Sequence, residues 1–225
     1  MPRLLALLLP ILALTAAPIA AQVVTVSETV EVVQPASDGG SERYVATAPA
    51  NLPRGIASFG PFRVLDRGRA ALVDATDAAS PAQFEAMLRA YPAIALIEMI
   101  ECPGTEDDRA NLQLGRMIHA RGISTHVPAD GSVRSGGVEL FLAGKNRRAD
   151  PGAEFAVHSW ADEDGREAKD YPASAPENRA YIDYYEELGM PEPQARAFYA
   201  MTNSVPNAQA KWLGSADIGR WVHLD

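Results

Sequence analysis

Short apolar runs alternate with amphipathic helical patterns from residue 62 onward, and this alternation most constrains how the chain can fold. Residues 93–97 form a nearly continuous apolar run, which is typical of a strand buried on both faces of a sheet. Residues 105–121 then follow a helical pattern that begins with acidic side chains and ends at Gly122, and residues 123–127 are extended again. Because parallel strands need crossover connections, this order predicts an α/β fold.

The same patterns predict further elements on both sides of this unit. Predicted strands occupy residues 62–65, 70–73 and 155–157. Predicted helices begin at Ser80 and occupy residues 177–188 and 192–201, while the apolar residues 138–143 fit either a helix or a strand. Three tyrosines on the 177–188 helix predict packing, and the basic residues 145–148 predict a solvated loop.

The N-terminus has the order of a secretory signal peptide. Arg3 supplies a positive charge, an apolar run covers residues 4–17, and the small residues Ala20 and Ala21 suit cleavage. The apolar run is shorter than the ~20 residues that span a bilayer, although an uncleaved anchor is the alternative. We therefore predict loss of residues 1–21 and a periplasmic or secreted protein without further membrane contact.

An extended arm is predicted between the signal peptide and the main domain. Residues 23–33 alternate valine with polar side chains, which is a strand pattern. The rest of the 22–54 arm is rich in Pro, Ala, Ser and Gly and has little periodicity. We expect the remaining residues, 55–225, to form one domain with its own core.

Charge and cysteine content exclude several classes of function. The formal net charge of the 225-residue chain is −9, which disfavours nucleic acid or anionic lipid as a partner. Cys102 is the one cysteine, so neither an intramolecular disulfide nor a cysteine-ligated zinc site is expected. The four histidines lack the spacing of a metal motif. We therefore expect no metal and no cofactor.

A serine flanked by glycines carries the candidate chemistry. Ser135 precedes Gly136 and the apolar residues 138–143, so it can lie at a helix N-terminus whose N–H groups hold an oxyanion. His158 ends the strand at 155–157, where one strand–helix–strand passage can return it to the serine as a base. The alternatives are that Ser135 only caps its helix and that His158 is a core histidine.

Other reactive residues fit this chemistry less well. His126 has only its proximity to Ser135 in favour of a role as the base. Lys145 lies at the far end of the predicted helix, ~15 Å from the serine by helical rise. Cys102 precedes an acidic helix N-terminus, which disfavours a thiolate and indicates a structural role.

Four segments resemble the ClpP-type serine peptidases of the ClpP/crotonase superfamily, most closely their small exported relatives. Residues 102–104 stand where that family has a Pro-Gly-Gly turn. Residues 114–125 are similar to its next helix and strand, and residues 135–144 resemble its nucleophile segment. Residues 153–158 resemble the strand that ends in its catalytic histidine. The resemblance implies a ClpP/crotonase-like stack of ββα units.

The resemblance also implies site residues. Ser135 is the nucleophile, His158 the general base, and the N–H of Gly136 one oxyanion donor. Thr105 stands in place of the turn glycine that supplies the other donor. The group that orients the histidine is expected late in the chain, where Asn203 is the best-placed residue.

Asp217 is the alternative to Asn203. The cysteines that often flank the serine in exported relatives are replaced by Val133 and Gly137.

Two functions are therefore expected. The first is an exported ClpP-like serine hydrolase or peptidase that acts on a peptide or another small acyl substrate. The second is a non-catalytic binding or assembly module, which the neutral Asn203 and the non-glycine Thr105 favour. The resemblance implies a homo-oligomer. Acyl-CoA chemistry is disfavoured because coenzyme A is a cytoplasmic cofactor.

Overall fold

A computed structural model describes residues 52–225. The predicted signal peptide, the predicted strand at 23–33 and most of the predicted arm lie outside the described residues. Within residues 52–225, no helix has both the length and the apolar character needed to cross a bilayer.

A six-stranded sheet forms the first layer. In spatial order, its strands are β1 (Ala57–Phe59), β2 (Phe62–Val64), β3 (Arg69–Leu72), β4 (Leu96–Met99), β6 (Ser124–Val127) and β8 (Arg147–Ala149). The β1–β2 and β2–β3 pairs are antiparallel, and pairing from β3 to β8 is parallel throughout. The predicted apolar strand at 93–97 thus lies inside the sheet, shifted toward Met99.

A smaller sheet forms the second layer. In spatial order, its strands are β5 (Glu101–Cys102), β7 (Ser132–Arg134), β9 (Glu154–Val157) and β10 (Lys211–Gly214). The first three are parallel, and β10 is antiparallel to β9. In sequence, β4, β6 and β8 are each followed by a strand of this second sheet, so the chain alternates between the two layers.

The α-helices of the described residues follow these strand pairs. They are α1 (Ser80–Ala90), α2 (Asp108–Ala120), α3 (Gly136–Leu142), α4 (Pro176–Glu187), α5 (Glu192–Thr202) and α6 (Ser215–Ile218). The orders β4-β5-α2, β6-β7-α3 and β8-β9-α4 repeat one ββα unit. The predicted α/β fold with stacked ββα units is therefore confirmed.

The core lies around α3, whose residues are all buried. Cys102 is 1% exposed and packs against α3, because a Cβ on Gly137 would lie 3.0 Å from the Cβ of Cys102. Gly115 of α2 lets Tyr184 approach closely, since a Cβ there would lie 2.0 Å from the tyrosine Oη. The buried positions of Cys102 and Tyr184 agree with their predicted packing roles.

The predicted solvated loop at 145–148 is confirmed for the exposed residues 145–146 and wrong for residues 147–148. Arg147–Ala149 form β8, the edge strand of the first sheet. The Arg147 guanidinium donates to the carbonyl oxygen of Leu142 at 3.0 Å, and the Arg147 N–H donates to the Asp225 carboxylate at 3.0 Å. Charged side chains are common on edge strands, where they oppose pairing with other chains, and this is why composition alone indicated a loop.

Candidate active site

Ser135 has an unusual backbone conformation. It joins β7 to α3 with φ 48° and ψ −129°. It is the one non-glycine residue with a positive φ within residues 52–225. Such a conformation costs ~1–3 kcal/mol, and conformations of this kind cluster at functional sites. Although Ser135 occupies the N-cap position, its side chain makes no capping hydrogen bond, so the alternative that it only caps the helix is not supported.

Hydrogen bonds on both sides hold this turn. The N–H of Ser135 donates to the carbonyl oxygen of Ala156 on β9 at 2.9 Å. The Asn111 amide of α2 donates to the carbonyl oxygen of Gly136 at 2.7 Å, and its oxygen accepts from the Thr76 hydroxyl at 2.9 Å. The surroundings therefore fix the serine from two elements. Asn111 was not predicted from the sequence, because its role depends on contacts 25 and 35 residues away.

The predicted oxyanion donors, Gly136 and Thr105, are neighbours in space. A Cβ on Gly136 would lie 2.6 Å from the Thr105 γ-methyl, so only glycine permits this approach. The N–H of Gly136, as the first residue of α3, has no acceptor within the helix.

Thr105 forms an isolated parallel bridge with Thr76. Thr76 donates to the Gly104 carbonyl oxygen at 3.1 Å and accepts from the Glu106 N–H at 2.8 Å. Since successive N–H groups of an extended segment point to opposite sides, the N–H of Thr105 itself points away from Thr76. Gly104 lies directly against the nucleophile segment, because a Cβ there would lie 3.0 Å from the Ser135 Cβ.

His158 follows β9 at the same edge of the second sheet. The register pairs Arg134 with Ala156, so Ser135 and His158 follow the ends of adjacent parallel strands. The His158 Nδ1 lies 2.9 Å from the carbonyl oxygen of Ser159. A proton on Nδ1 would donate to this carbonyl and would leave on Nε2 the lone pair that a general base needs.

Asn207, and not the predicted Asn203, contacts the imidazole. The Asn207 Nδ2 lies 3.2 Å from the His158 Nδ1 and donates to the Ser159 carbonyl oxygen at 2.9 Å. The Asn203 side chain lines the same cavity but donates to the Tyr199 carbonyl oxygen at 2.8 Å. The difference arises because Asn207 belongs to an aperiodic loop before β10, whose path no sequence pattern indicates.

The remaining alternatives lie elsewhere. Asp217 accepts from the N–H of Gly214 at 3.0 Å, at the start of α6. His126 lies on β6, where its Nδ1 is 2.5 Å from Glu98 and its Nε2 is 3.1 Å from Asp150. Lys145 follows α3 at the end opposite Ser135 and does not line the cavity.

Ser135 and His158 line one cavity of about 150 Å³. Gly136, Thr105 and Asn207 also line it. In this conformation no hydrogen bond joins the Ser135 hydroxyl to the His158 ring among the residues that the structure describes. No group of three or more metal-ligating His, Cys, Asp or Glu side chains occurs in residues 52–225.

Two carboxyl groups form another part of the cavity wall. Glu139 of α3 is 6% exposed and accepts a hydrogen bond from the Tyr185 hydroxyl at 2.7 Å. Burial raises the pKa of Glu139 to about 7, and the Tyr185 hydrogen bond opposes this change. Asp108 keeps an exposed surface at the start of α2. Partial desolvation raises its pKa, and a hydrogen bond from Tyr181 and the nearby His158 oppose this change.

Neither carboxyl group was predicted from the sequence as a site residue. Asp108 was interpreted only as an acid that complements the α2 dipole. Glu139 offered a usable signal, because it is the one charged residue in the apolar run from Val138 to Ala143.

No protein-family model and no curated protein matches the chain. Solved structures do match. A mutant of the 1510-N membrane-bound stomatin-specific protease, in complex with a substrate peptide, is 14% identical with a TM-score of 0.49, over 69% of this chain and 71% of that chain. A ClpP1 mutant from Listeria monocytogenes is 18% identical with a TM-score of 0.41, over 69% and 88% of the two chains.

A third match is an enoyl-CoA hydratase from Rhodobacter sphaeroides. It is 18% identical with a TM-score of 0.32, over 42% of this chain and 38% of that chain. All three matches have identities below 20% and TM-scores below 0.5, and no conclusion about the family, fold or activity of this chain rests on them.

Proposed function

We propose that this protein is a serine hydrolase of ClpP type that acts on a peptide or another acyl substrate, with Ser135 as nucleophile and His158 as general base. The observation that carries the proposal is the backbone of Ser135. It holds φ 48° between β7 and α3, one residue beyond the strand that pairs with the strand leading to His158. A strained turn that presents a serine at a helix N-terminus is the arrangement that serine hydrolases use for their nucleophile.

The proposed reaction has two halves. The Ser135 Oγ attacks the substrate carbonyl carbon while the His158 Nε2 takes the hydroxyl proton. The tetrahedral oxyanion is held by the N–H groups of Gly136 and Thr105. The bond to the leaving group then breaks as His158 returns the proton to it. Water then attacks the acyl-serine carbonyl carbon while the His158 Nε2 takes a proton from it. When His158 returns this proton to the Ser135 Oγ, the ester bond breaks, the acid is released and Ser135 is restored.

The orientation of His158 supports this proposal without a carboxylate. The Ser159 carbonyl oxygen lies where it can accept a proton from Nδ1, and Asn207 donates to the same carbonyl. The Ser159 carbonyl favours a proton on Nδ1, but a neutral carbonyl stabilises an imidazolium less than an aspartate does. The hydrogen bond between Ser135 and His158 is expected to form when substrate fills the cavity, since catalytic hydrogen bonds are often long in unliganded enzymes.

Hydrolysis of an activated ester tests the proposal. We expect the Ser135→Ala variant to lose enzyme-dependent turnover, and the His158→Ala variant to lose about 10²- to 10⁴-fold in kcat/KM, the range for a general base. Ser58→Ala, on the exposed strand β1, is the matched control and should keep full activity. Equal turnover by wild type and Ser135→Ala would show that the serine has no catalytic role.

The second candidate function is a non-catalytic binding or assembly module. The neutral Asn207 at His158, together with the missing Ser135–His158 hydrogen bond, favours it. This function predicts no turnover by folded wild-type protein on any ester or peptide tested. Homo-oligomerisation stays a prediction of the sequence resemblance. Analytical ultracentrifugation measures the oligomeric state, and a monomer would contradict this prediction.

We also propose that the protein is exported from the cytoplasm. The support is the sequence of residues 1–21, in which a positive charge, an apolar run and small residues follow one another as in a cleavable signal peptide. N-terminal sequencing of protein recovered from the periplasm or the medium should begin near Gln22. Intact protein retained in the cytoplasm would contradict this localisation.

A further inference from the structure

The cavity beside Ser135 has carboxyl groups from two different helices in its wall. Glu139 of α3 lines the same cavity as Ser135, which directly precedes that helix. Asp108 is the first residue of α2 and lines the cavity from a second element. We infer that this cavity is a specificity pocket for a cationic side chain of the substrate, an ammonium or guanidinium group, held by Glu139 and Asp108. This inference rests on the proposed function for its substrate.

Glu139 has no cationic partner among residues 52–225. Its side chain is 6% exposed, its Oε1 accepts from the Tyr185 hydroxyl at 2.7 Å, and its own backbone N–H also donates to the carboxylate. Both donors are neutral. Since a buried carboxylate is stabilised most by an opposite charge, a cationic ligand would supply the charge that these neighbours lack.

The cavity wall contains no opposite charge apart from what His158 can carry. No lysine or arginine among residues 52–225 lines it. Asn203, which also lines it, has a buried Oδ1 without a hydrogen-bond partner. The wall therefore contains two carboxyl groups whose donors are neutral, without a lysine or arginine to balance their charge. An ammonium group, with three donors and no acceptor, is complementary to such a wall.

The volume of the cavity suits one side chain. It encloses about 150 Å³ and is adjacent to the candidate nucleophile. An engineered cavity of about 150 Å³ in another protein accommodates benzene. A flat aromatic amidine is therefore a fitting probe, and its neutral amide analogue is a control of nearly the same shape.

The charge of the wall sets a pH dependence that supports the inference. Burial raises the pKa of Glu139 to about 7, so this carboxyl is half ionised near neutrality in the empty pocket. A cation binds the ionised form. Its affinity should therefore rise with pH from 6 to 8, whereas the affinity of a neutral analogue should not change.

Calorimetric titration with benzamidine and benzamide tests the inference on the full chain, without any need for turnover. We expect benzamidine to bind wild type at least about tenfold more tightly than benzamide at pH 8. Glu139→Gln should weaken benzamidine about 10- to 100-fold, the loss of a charge-assisted hydrogen bond, and Asp108→Asn should weaken it in the same direction. Glu192→Gln, on the exposed face of α5, should change nothing.

The outcomes separate this inference from the proposed function. If wild type binds benzamidine no better than benzamide, the cationic pocket is wrong even when esters are hydrolysed through Ser135. If wild type prefers benzamidine but hydrolyses no ester, the pocket stands and the hydrolase proposal fails. The wild-type comparison decides the matter even if Glu139→Gln does not fold.

A matched pair of esters extends the test to catalysis. Activated esters of Nα-acetyl-lysine and Nα-acetyl-norleucine differ mainly in the terminal ammonium group. We expect wild type to favour the lysine ester at least tenfold in kcat/KM, and Glu139→Gln to reduce that ratio toward one. A ratio near one in wild type would overturn the inference.

Discussion

At the scale of single residues, Ser135 is held in a conformation that glycine adopts with less strain. Its φ of 48° is unique among the non-glycine residues of the described range, and buried hydrogen bonds to Ala156 and from Asn111 to Gly136 hold the turn around it. A serine in such a conformation lowers stability. Its presence is explained if the hydroxyl is needed, which is the basis of the proposed function.

Ser135→Gly should be more stable than Ser135→Ala by about 1 kcal/mol, because glycine relieves the positive-φ strain that alanine retains. Denaturant unfolding of both variants measures the difference. Ser204 provides the matched control pair, since its φ is not positive and glycine there should be no better than alanine. A Ser135→Gly variant less stable than Ser135→Ala would contradict the strained turn.

Glu139 gives the stability of the protein a defined pH dependence. Below its unfolded-state pKa of 4.5, both states hold the proton and burial costs nothing. As pH rises to about 7, the unfolded state ionises while the folded state keeps its proton, so the free energy of unfolding falls.

The free energy of unfolding of wild type relative to Glu139→Gln should fall by about 3 kcal/mol between pH 4.5 and pH 8. Urea unfolding at several pH values measures this difference. Glu163→Gln, in an exposed loop, is the control. A difference that stays constant with pH would mean that the Glu139 carboxyl titrates as it does in the unfolded chain.

The sequence indicated residues with local motifs and missed those defined by distant contacts. Ser135 and His158 stand at element ends that periodicity and glycine placement identify. Asn207 could not be assigned, because its loop has no periodic pattern and its contact with His158 spans 49 residues. Glu139 could have been flagged, since a charge inside an apolar run needs a reason.

At the scale of elements, Asn111 ties α2 to the turn that starts α3. Its amide donates to Gly136 and accepts from Thr76, and both bonds are buried. These two hydrogen bonds of Asn111 hold the turn at Ser135 against residues 104–106. They come from α2, a helix that supplies neither the proposed nucleophile nor the proposed general base.

Asn111→Ala should destabilise the protein by about 2–4 kcal/mol, because two buried groups lose their partner. It should also lower ester turnover in protein that is still folded. Denaturant unfolding and activity of the same samples provide the measurement. Asn146→Ala, at an exposed side chain, should change neither quantity. Unchanged stability in Asn111→Ala would show that the two hydrogen bonds of Asn111 do not stabilise this turn.

Long elements with a periodic pattern or clear boundaries were predicted from the sequence, and very short elements were not. The helices at 80–90, 108–120 and 176–187 have 3.6-residue periodicity or clear boundaries, and the sequence located them. The strands Glu101–Cys102 and Ser132–Arg134 are too short to show alternation, and they were missed. They exist because the second sheet pairs them, which is a tertiary effect on short segments.

At the scale of the whole described domain, two layers of parallel strands make the site possible. Each ββα unit passes from the first sheet to the second, so β7 and β9 become neighbours although a helix and a strand separate them in sequence. The alternation of apolar runs and helices in the sequence predicted this topology. It did not predict the cavity, because α4, α5 and the loop before β10 all contribute to the cavity wall.

Covalent labelling with a fluorophosphonate tests the central claim most directly, because the reagent reacts with an activated serine and peptide mass spectrometry locates the adduct. We expect one adduct on Ser135 in wild type, none in Ser135→Ala, and strongly slowed labelling in His158→Ala. Ser58→Ala should label as wild type does. An adduct on another serine, or labelling that is unchanged in His158→Ala, would contradict the account.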